Sequence, residues 1–464
     1  MNSRIRPLVL LLILPILLAC RTFLPSLNPN STLSSAEKNF QVKYTPTPQA
    51  TLTPIPSFTP TSLPPSLTPT LLATSLPTST LIPVNTQLAI FESLWTIVND
   101  TYVYPDFNGL DWNAVHQEYK LKILAGLTNV QFYQEINQLI SRLGDDHSSF
   151  LDPQQVAQQA AESEGKHDYV GIGILVSAVP DRQRAVVLSV FTGSPAESAG
   201  IQLRDSVISV DGTPILDENG YLRDIVRGPE GTAINVIVQT PGEEPRELRL
   251  TRHRINGDSP VIHTVITTPD NKRIGYIFLV TFMDNTVDEQ VAVALQEMTT
   301  ERPLDGLILD NRMNEGGSSL VLMPMLGYLL GGHLGDFIRH SEQYPLEVKM
   351  HDINGSSRVP LVVLVGSGTA SFGEIFAGIL QDMGRAFLIG TPTEGNVEIL
   401  WSYDFEDGSQ LWLANETFRP LNYPDQDWEK SGIIPDITIS GEFDEYSLNN
   451  DPAVKAAIQY LSEQ

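Results

Sequence analysis

Strand and helix signals alternate over residues 256–464 and place this part of the chain in the α/β class. Two short apolar runs carry that reading: Leu307-Ile308-Leu309-Asp310, and Leu361-Val362-Val363-Leu364-Val365 between Pro360 and Gly366. Runs of this length between turn residues are the mark of strands buried on both faces. The segments around them have helical spacing instead, as in Val291, Leu295 and Met298, or Ile375, Phe376, Ile379, Leu380 and Met383. The polar motifs fall at strand ends, where open α/β sheets place their active sites.

The chain reaches that sheet late. Its 464 residues allow two or three domains. Arg4 and Arg6 precede an apolar stretch over residues 8–18, too short to span a bilayer comfortably and built like a secretory signal. Leu17-Leu18-Ala19-Cys20 resembles a bacterial lipoprotein cleavage box. That resemblance implies removal of residues 1–19, lipidation of Cys20 and a protein anchored outside the cytoplasm in the bacterial cell envelope. An ordinary signal with an incidental cysteine is the alternative. Cys20 is the single cysteine, so no internal disulfide or thiolate metal site can form. Residues 20–84 are rich in Thr, Pro and Ser, as in Thr45-Pro46-Thr47-Pro48. Such a segment favours extended polyproline-like backbone and reads as a stalk. With 55 acidic against 29 basic residues the net charge is −26, which argues against nucleic acid as a partner.

Residues 85–166 read as helical. Leu88, Phe91, Leu94, Trp95 and Val98 mark one amphipathic helix, and a second short one follows Asp111. Thr128 and Gln131 form a capping box for a third, whose stripe is Phe132, Ile136, Leu139, Ile140 and Leu143 and whose end is Gly144. His147 lies just past it, in Asp145-Asp146-His147-Ser148. A histidine there is either a structural residue or, given a partner, a catalytic one.

Residues 167–255 are rich in β signals. They carry Tyr169-Val170-Gly171-Ile172-Gly173, Gly193-Ser194-Pro195-Ala196 and Asp205 to Gly212 with Val210-Asp211-Gly212. This pattern resembles a PDZ domain. The resemblance implies a groove that adds a peptide as an extra strand and holds its terminal carboxylate on the N–H groups of residues 169–173. The same glycines would equally serve a tight turn.

In the last part, Ser371 stands where the strand at 361–365 hands over to a helix. The N–H groups that open a helix lack internal partners and can face a developing oxyanion. Ser371 can also simply cap that helix, with Glu374 completing a capping box. Strands over 274–282 and 386–390, a helix over 286–298, a hairpin around Asp407-Gly408 and a closing helix from Pro452 complete the reading.

Several ordered motifs over residues 88–439 resemble the C-terminal processing (tail-specific) serine peptidases. They are Asp145-Asp146-His147-Ser148, the PDZ segment, Asp310-Asn311-Arg312-Met313-Asn314-Glu315-Gly316-Gly317, Thr369-Ala370-Ser371, Gly384-Arg385-Ala386 and Gly432-Ile433-Ile434-Pro435-Asp436. The resemblance implies a ClpP/crotonase-like α/β core with an N-terminal helical segment and an inserted PDZ domain. It implies Ser371 as nucleophile, and an oxyanion hole from the N–H of Phe372 and the Gly316-Gly317 turn. The better-known members use a lysine base, but Asn396 stands at that position and no lysine occurs between Lys349 and Lys430. The chain is in this respect more similar to the tricorn-like branch, which implies a Ser371–His147–Glu429 triad. Asp425 and Asp427 are rivals to Glu429, and Asp146 replaces a serine of that branch. A polypeptide is the implied substrate, and no metal or cofactor is implied. The alternative is an inactive homologue that binds peptides or apolar ligands.

Overall fold

The computed structural model describes residues 81–145, 147–164, 169–255 and 260–464. The signal segment, Cys20 and nearly all of the stalk lie outside the described residues. The chain opens with the helix Val84–Thr101, followed by Trp112–Leu124 and Asn129–Ser141. Asp111 caps the second through the N–H of Ala114, and Thr128 and Gln131 form the expected capping box at the third. The second runs to 13 residues, longer than its weak pattern suggests. Phe91, Leu94, Tyr119, Ile136 and Leu139 close one core between these helices, together with Phe150, Leu411 and Leu413.

The central sheet is six-stranded: His263–Thr267, Arg273–Phe278, Gly306–Asp310, Leu361–Val365, Phe387–Gly390 and Ile437–Thr438. All pairings but the first are parallel. Alternation sorts its apolar runs onto two faces. Leu361, Val363 and Val365 pack with the helices Val287–Met298, Ser319–Gly327 and Phe372–Asp382. Val362 and Leu364 pack on the other face with the closing helix Pro452–Ser462 and with Val186 and Leu188 from the β-rich segment. A second sheet joins Ser149–Leu151, Gln410–Pro420, Gly332–Arg339 and Gln343–Val348, with Ile399–Asp404 paired to Gln410–Pro420. It brings the loop before Ser149 to the same end of the molecule as residues 396–398.

The β-rich segment forms a small sheet of its own from Ile174–Val179, Arg184–Val190, Ser206–Val210, Ala233–Gln239 and Arg246–Thr251. Tyr169–Gly171 pairs instead with His253–Ile255. Gly173 has φ +80°, and a Cβ there would lie 2.3 Å from Ser194 Cβ, so only glycine lets these two stretches meet.

Candidate active site

The strand Leu361–Val365 is wholly buried, and the turn that follows it is fastened to the neighbouring strand's end. Thr369 Oγ1 donates to Asn311 O at 2.8 Å, and Ala370 N donates to Asn314 O at 3.0 Å. Ser371 follows with φ 52° and ψ −129°, a backbone that L residues rarely adopt and that costs energy to hold. The helix Phe372–Asp382 begins at the next residue.

The capping-box alternative for this helix does not form. The Ser371 side chain caps nothing, because a capping serine needs extended backbone. Its N–H, which Glu374 would take in a capping box, donates to Asn396 O at 2.6 Å. Glu374 is fully buried and turns to the loop 393–396. It accepts from Thr393 Oγ1, from Gly395 N at 2.9 Å and from Asn396 N at 2.8 Å. Burial outweighs these three donors and lifts its carboxyl to about 7.

The Gly316-Gly317 turn lies directly against this corner. A Cβ on Gly316, φ +87°, would stand 2.8 Å from both Phe372 N and Ser371 Cβ. A Cβ on Gly317 would stand 2.1 Å from Phe282 C. Gly316 N already donates to Asn314 Oδ1 at 3.0 Å, whereas the N–H groups of Phe372 and Gly317 meet no acceptor among the described residues. Asn314 Nδ2 donates to Asn311 Oδ1 at 2.9 Å, and Asn311 Nδ2 donates to Gly373 O at 2.9 Å. These two buried asparagines tie the glycine turn to the helix that carries Ser371. They sit inside a motif legible in the sequence, but nothing local marks that task.

His147 and Glu429 are brought together across 282 residues, with Nε2 2.8 Å from Glu429 Oε1. Glu429 rides on the short helix Trp428–Ser431, anchored by buried Trp428 against Phe418. Its Oε2 accepts from Val397 N at 2.8 Å and Glu398 N at 3.2 Å. His147 is set by a turn in which Asp145 Oδ1 accepts from the N–H groups of His147 and Ser148. Asp145 Oδ2 accepts from Tyr102 Oη at 2.7 Å. Asp146 lies outside the described residues. The rivals stand elsewhere: Asp427 caps its own helix and pairs with Lys430 at 2.6 Å, and Asp425 is exposed. Burial lowers the affinity of His147 for a proton, but the hydrogen bond and charge of Glu429, with Glu398 and Asp145, lift it to about 9.

Ser371 connects to this pair through residues 396–398. Asn396 O holds the Ser371 N–H, and the next two N–H groups hold Glu429. No hydrogen bond joins the Ser371 hydroxyl to His147 in this structure. Glu398 is a further residue of the site that no sequence signal marked. It is buried beside His147 and Glu429 and faces the Tyr104 phenol, which burial and that carboxylate push up. Residues 169–173 lie in the small β domain: Gly228 N donates to Val170 O at 3.2 Å, and Ala196 N donates to Ile172 O at 2.9 Å.

Comparison with known proteins gives the family. Peptidase family S41 matches residues 273–439, the tricorn protease C1 domain residues 83–141, and a PDZ domain residues 186–240. A carboxyl-terminal-processing protease of Synechocystis sp. is 30% identical over 378 residues, covering 79% of this chain and 85% of that one. The chloroplastic C-terminal processing peptidase of Tetradesmus obliquus is 30% identical over 376 residues, covering 77% and 78%. Among solved structures, the photosystem II D1 C-terminal processing protease superposes with a TM-score of 0.54 at 27% identity, over 76% of this chain and 93% of that one. With its α/β core, helical N-terminal segment and PDZ domain, this chain belongs to peptidase family S41 as a serine-type carboxyl-terminal-processing peptidase.

Proposed function

We propose that this chain is a lipid-anchored endopeptidase of the bacterial cell envelope, acting outside the cytoplasm, whose catalytic groups are Ser371, His147 and Glu429. Cys20 carries the anchor, residues 1–19 are the cleaved signal and residues 20–84 the stalk. No helix among the described residues is long and apolar enough to cross a membrane. Residues 85–166 and 256–464 make up the peptidase and residues 167–255 the PDZ domain. The extended stretch 169–173 takes the end of a polypeptide substrate as an added strand.

The observation that carries the triad is the 2.8 Å bond between His147 and Glu429, tied through residues 396–398 to a serine whose usual lysine partner is replaced by Asn396. A serine hydroxyl is a poor nucleophile until a base removes its proton. Donation from His147 Nε2–H to Glu429 leaves the lone pair on the other ring nitrogen, which takes the Ser371 proton. Ser371 Oγ then bonds to the substrate's carbonyl carbon. The oxyanion receives the N–H groups of Phe372 and of the Gly316-Gly317 turn, from Gly317 because Gly316 N is held by Asn314. His147 returns the proton to the departing amine, and water hydrolyses the acyl-enzyme by the same route. The 393–398 stretch supports the reading, since it touches both Ser371 and Glu429 and fixes their spacing.

The test is labelling of the full-length protein in mild detergent with a fluorophosphonate, with the adduct located by mass spectrometry. Wild type should label on Ser371, and His147→Ala should slow labelling by roughly 10³-fold or more. Labelling that persists in His147→Ala would assign the base elsewhere, and a wild type that stays unlabelled with peptides present would remove Ser371 as an activated nucleophile.

A further inference from the structure

Three ligand atoms converge at the proposed base. His147, Glu398 and Glu429 each place one nitrogen or oxygen within 4.8 Å of the other two. The residues come from separate parts of the chain: the loop after Asn129–Ser141, the residue before the strand Ile399–Asp404, and the helix Trp428–Ser431. The triad needs one carboxylate, so Glu398 is left without a task in it. The residue is 3% exposed, and its Oε2 has no hydrogen-bond partner among the described residues. A buried carboxylate that keeps one oxygen without a donor, beside an imidazole and a second carboxylate, is what a cation site presents before the cation arrives.

We propose that His147, Glu398 and Glu429 form a regulatory site for a divalent transition-metal ion of the zinc class, and that the ion switches the peptidase off. One imidazole nitrogen and two carboxylate oxygens are an ordinary zinc set, and the imidazole disfavours magnesium and calcium. Two carboxylates balance the charge of the ion, and three protein ligands leave a fourth position for water. Metal–ligand bonds of about 2.0–2.1 Å put tetrahedral ligands about 3.3 Å apart. The His147–Glu429 pair is already at 2.8 Å, and a Glu398 oxygen lies within 4.8 Å of both. As the ion takes the Nε2 lone pair, the ring's one proton passes to the other nitrogen, so the neutral ring keeps no lone pair for Ser371. An imidazole held by the cation on Nε2 accepts the Ser371 proton poorly, and Glu429 no longer orients it. This inhibition rests on the triad reading; the binding does not.

The test uses the full-length protein, stripped with chelator, and zinc chloride in competition with a chromophoric chelator. Wild type should bind one equivalent, and Glu398→Gln should raise the Kd about tenfold or more, since even outer partners of a metal site are worth that much. His147→Ala, which removes a part-exposed ring, should lose the equivalent too. In a parallel peptidase assay, zinc should silence wild type and added chelator restore it, while Glu398→Gln, whatever its own rate without zinc, should lose a far smaller fraction of that rate at the same zinc level. Absence of a bound equivalent, or equal affinity in wild type and both variants, would overturn the site. Binding without inhibition would uphold the metal site and count against His147 as the base, so the two readings fail separately.

Discussion

His147 sits between two opposed forces, and their balance sets when the site can work. Burial favours the neutral ring, while Glu429, with Glu398 and Asp145 behind it, favours the imidazolium and raises the ring to about 9. A general base accepts a proton only when neutral. The kcat/KM of the resting enzyme should therefore climb with pH to an inflection near 9. Glu429→Gln removes the charge and the tautomer's anchor together. Its inflection should move down towards the ordinary 6.5, and kcat should fall by roughly 10²–10⁴-fold. Asp427→Asn, which keeps the helix cap, should change neither. The same shift has a stability side. A histidine raised by its partner stabilises the fold fully below its unfolded value of 6.5, and that contribution is lost as pH rises through about 9. Urea melts of Glu429→Gln should thus show their deficit near pH 6 and little at pH 10. An inflection unmoved by Glu429→Gln would detach this carboxylate from the base.

The loop 393–398 is the element that makes a site out of separate residues, and Glu374 is what holds it. One buried carboxylate receives three donors from that loop, and the loop's Asn396 carbonyl in turn holds the Ser371 N–H. Glu374→Gln keeps the size but sets an NH₂ group against N–H donors. It should cost about 1–3 kcal/mol, read from denaturant unfolding, and slow fluorophosphonate labelling of Ser371. A stability loss with labelling unchanged would make Glu374 structural only. Because burial raises this acid to about 7, its penalty is absent below its unfolded value of 4.5 and grows as pH rises through 7. None of this was legible locally. Ser371 and Glu374 have the spacing of a capping box, and only a contact with a loop some twenty residues on decides against it. Glu398 was equally silent, being a lone acid ahead of a half-exposed strand. What could be read was whatever repeats or punctuates: the alternating runs at 307–310 and 361–365, Thr128 with Gln131, and Asp451 before Pro452, all of which took the expected forms. The second sheet left weaker traces. Its strand Gln343–Val348 contains Pro345 and lies at an edge, where a missing N–H is tolerated, and its pairings span long stretches of sequence.

At the scale of the whole molecule, the small β domain shares the peptidase's interior. Val186 and Leu188 belong to the same core as Ile308, Val362 and the closing helix. A buried ionic cluster sits beside that core. Arg204 of the β domain meets Asp451 Oδ2 at 2.7 Å and Asp310 Oδ2 at 3.4 Å, and Arg312 meets the same two oxygens at 2.7 and 2.6 Å. Asp310 ends the strand that leads to the glycine turn, and Asp451 caps the closing helix through the N–H groups of Ala453 and Val454. Four charges thus balance where three parts of the chain meet, and Arg204 also lies 4.2 Å over the Phe443 ring. Such a cluster need not be more stable than an apolar one, but removing a single member leaves an uncompensated buried charge. Arg204→Met keeps the apolar stem and leaves two carboxylates to one arginine, which should cost about 3–5 kcal/mol. Pairing it with Asp451→Asn restores neutrality and keeps the helix cap, so the double variant should recover part of the loss. Wild type should unfold in one transition by both calorimetry and fluorescence, because Val186 and Leu188 of the β domain are buried in a core of the peptidase and would be exposed if either part opened alone. If Arg204→Met melts like wild type, or if the double variant is less stable than the two losses added, the cluster does not join the domains energetically.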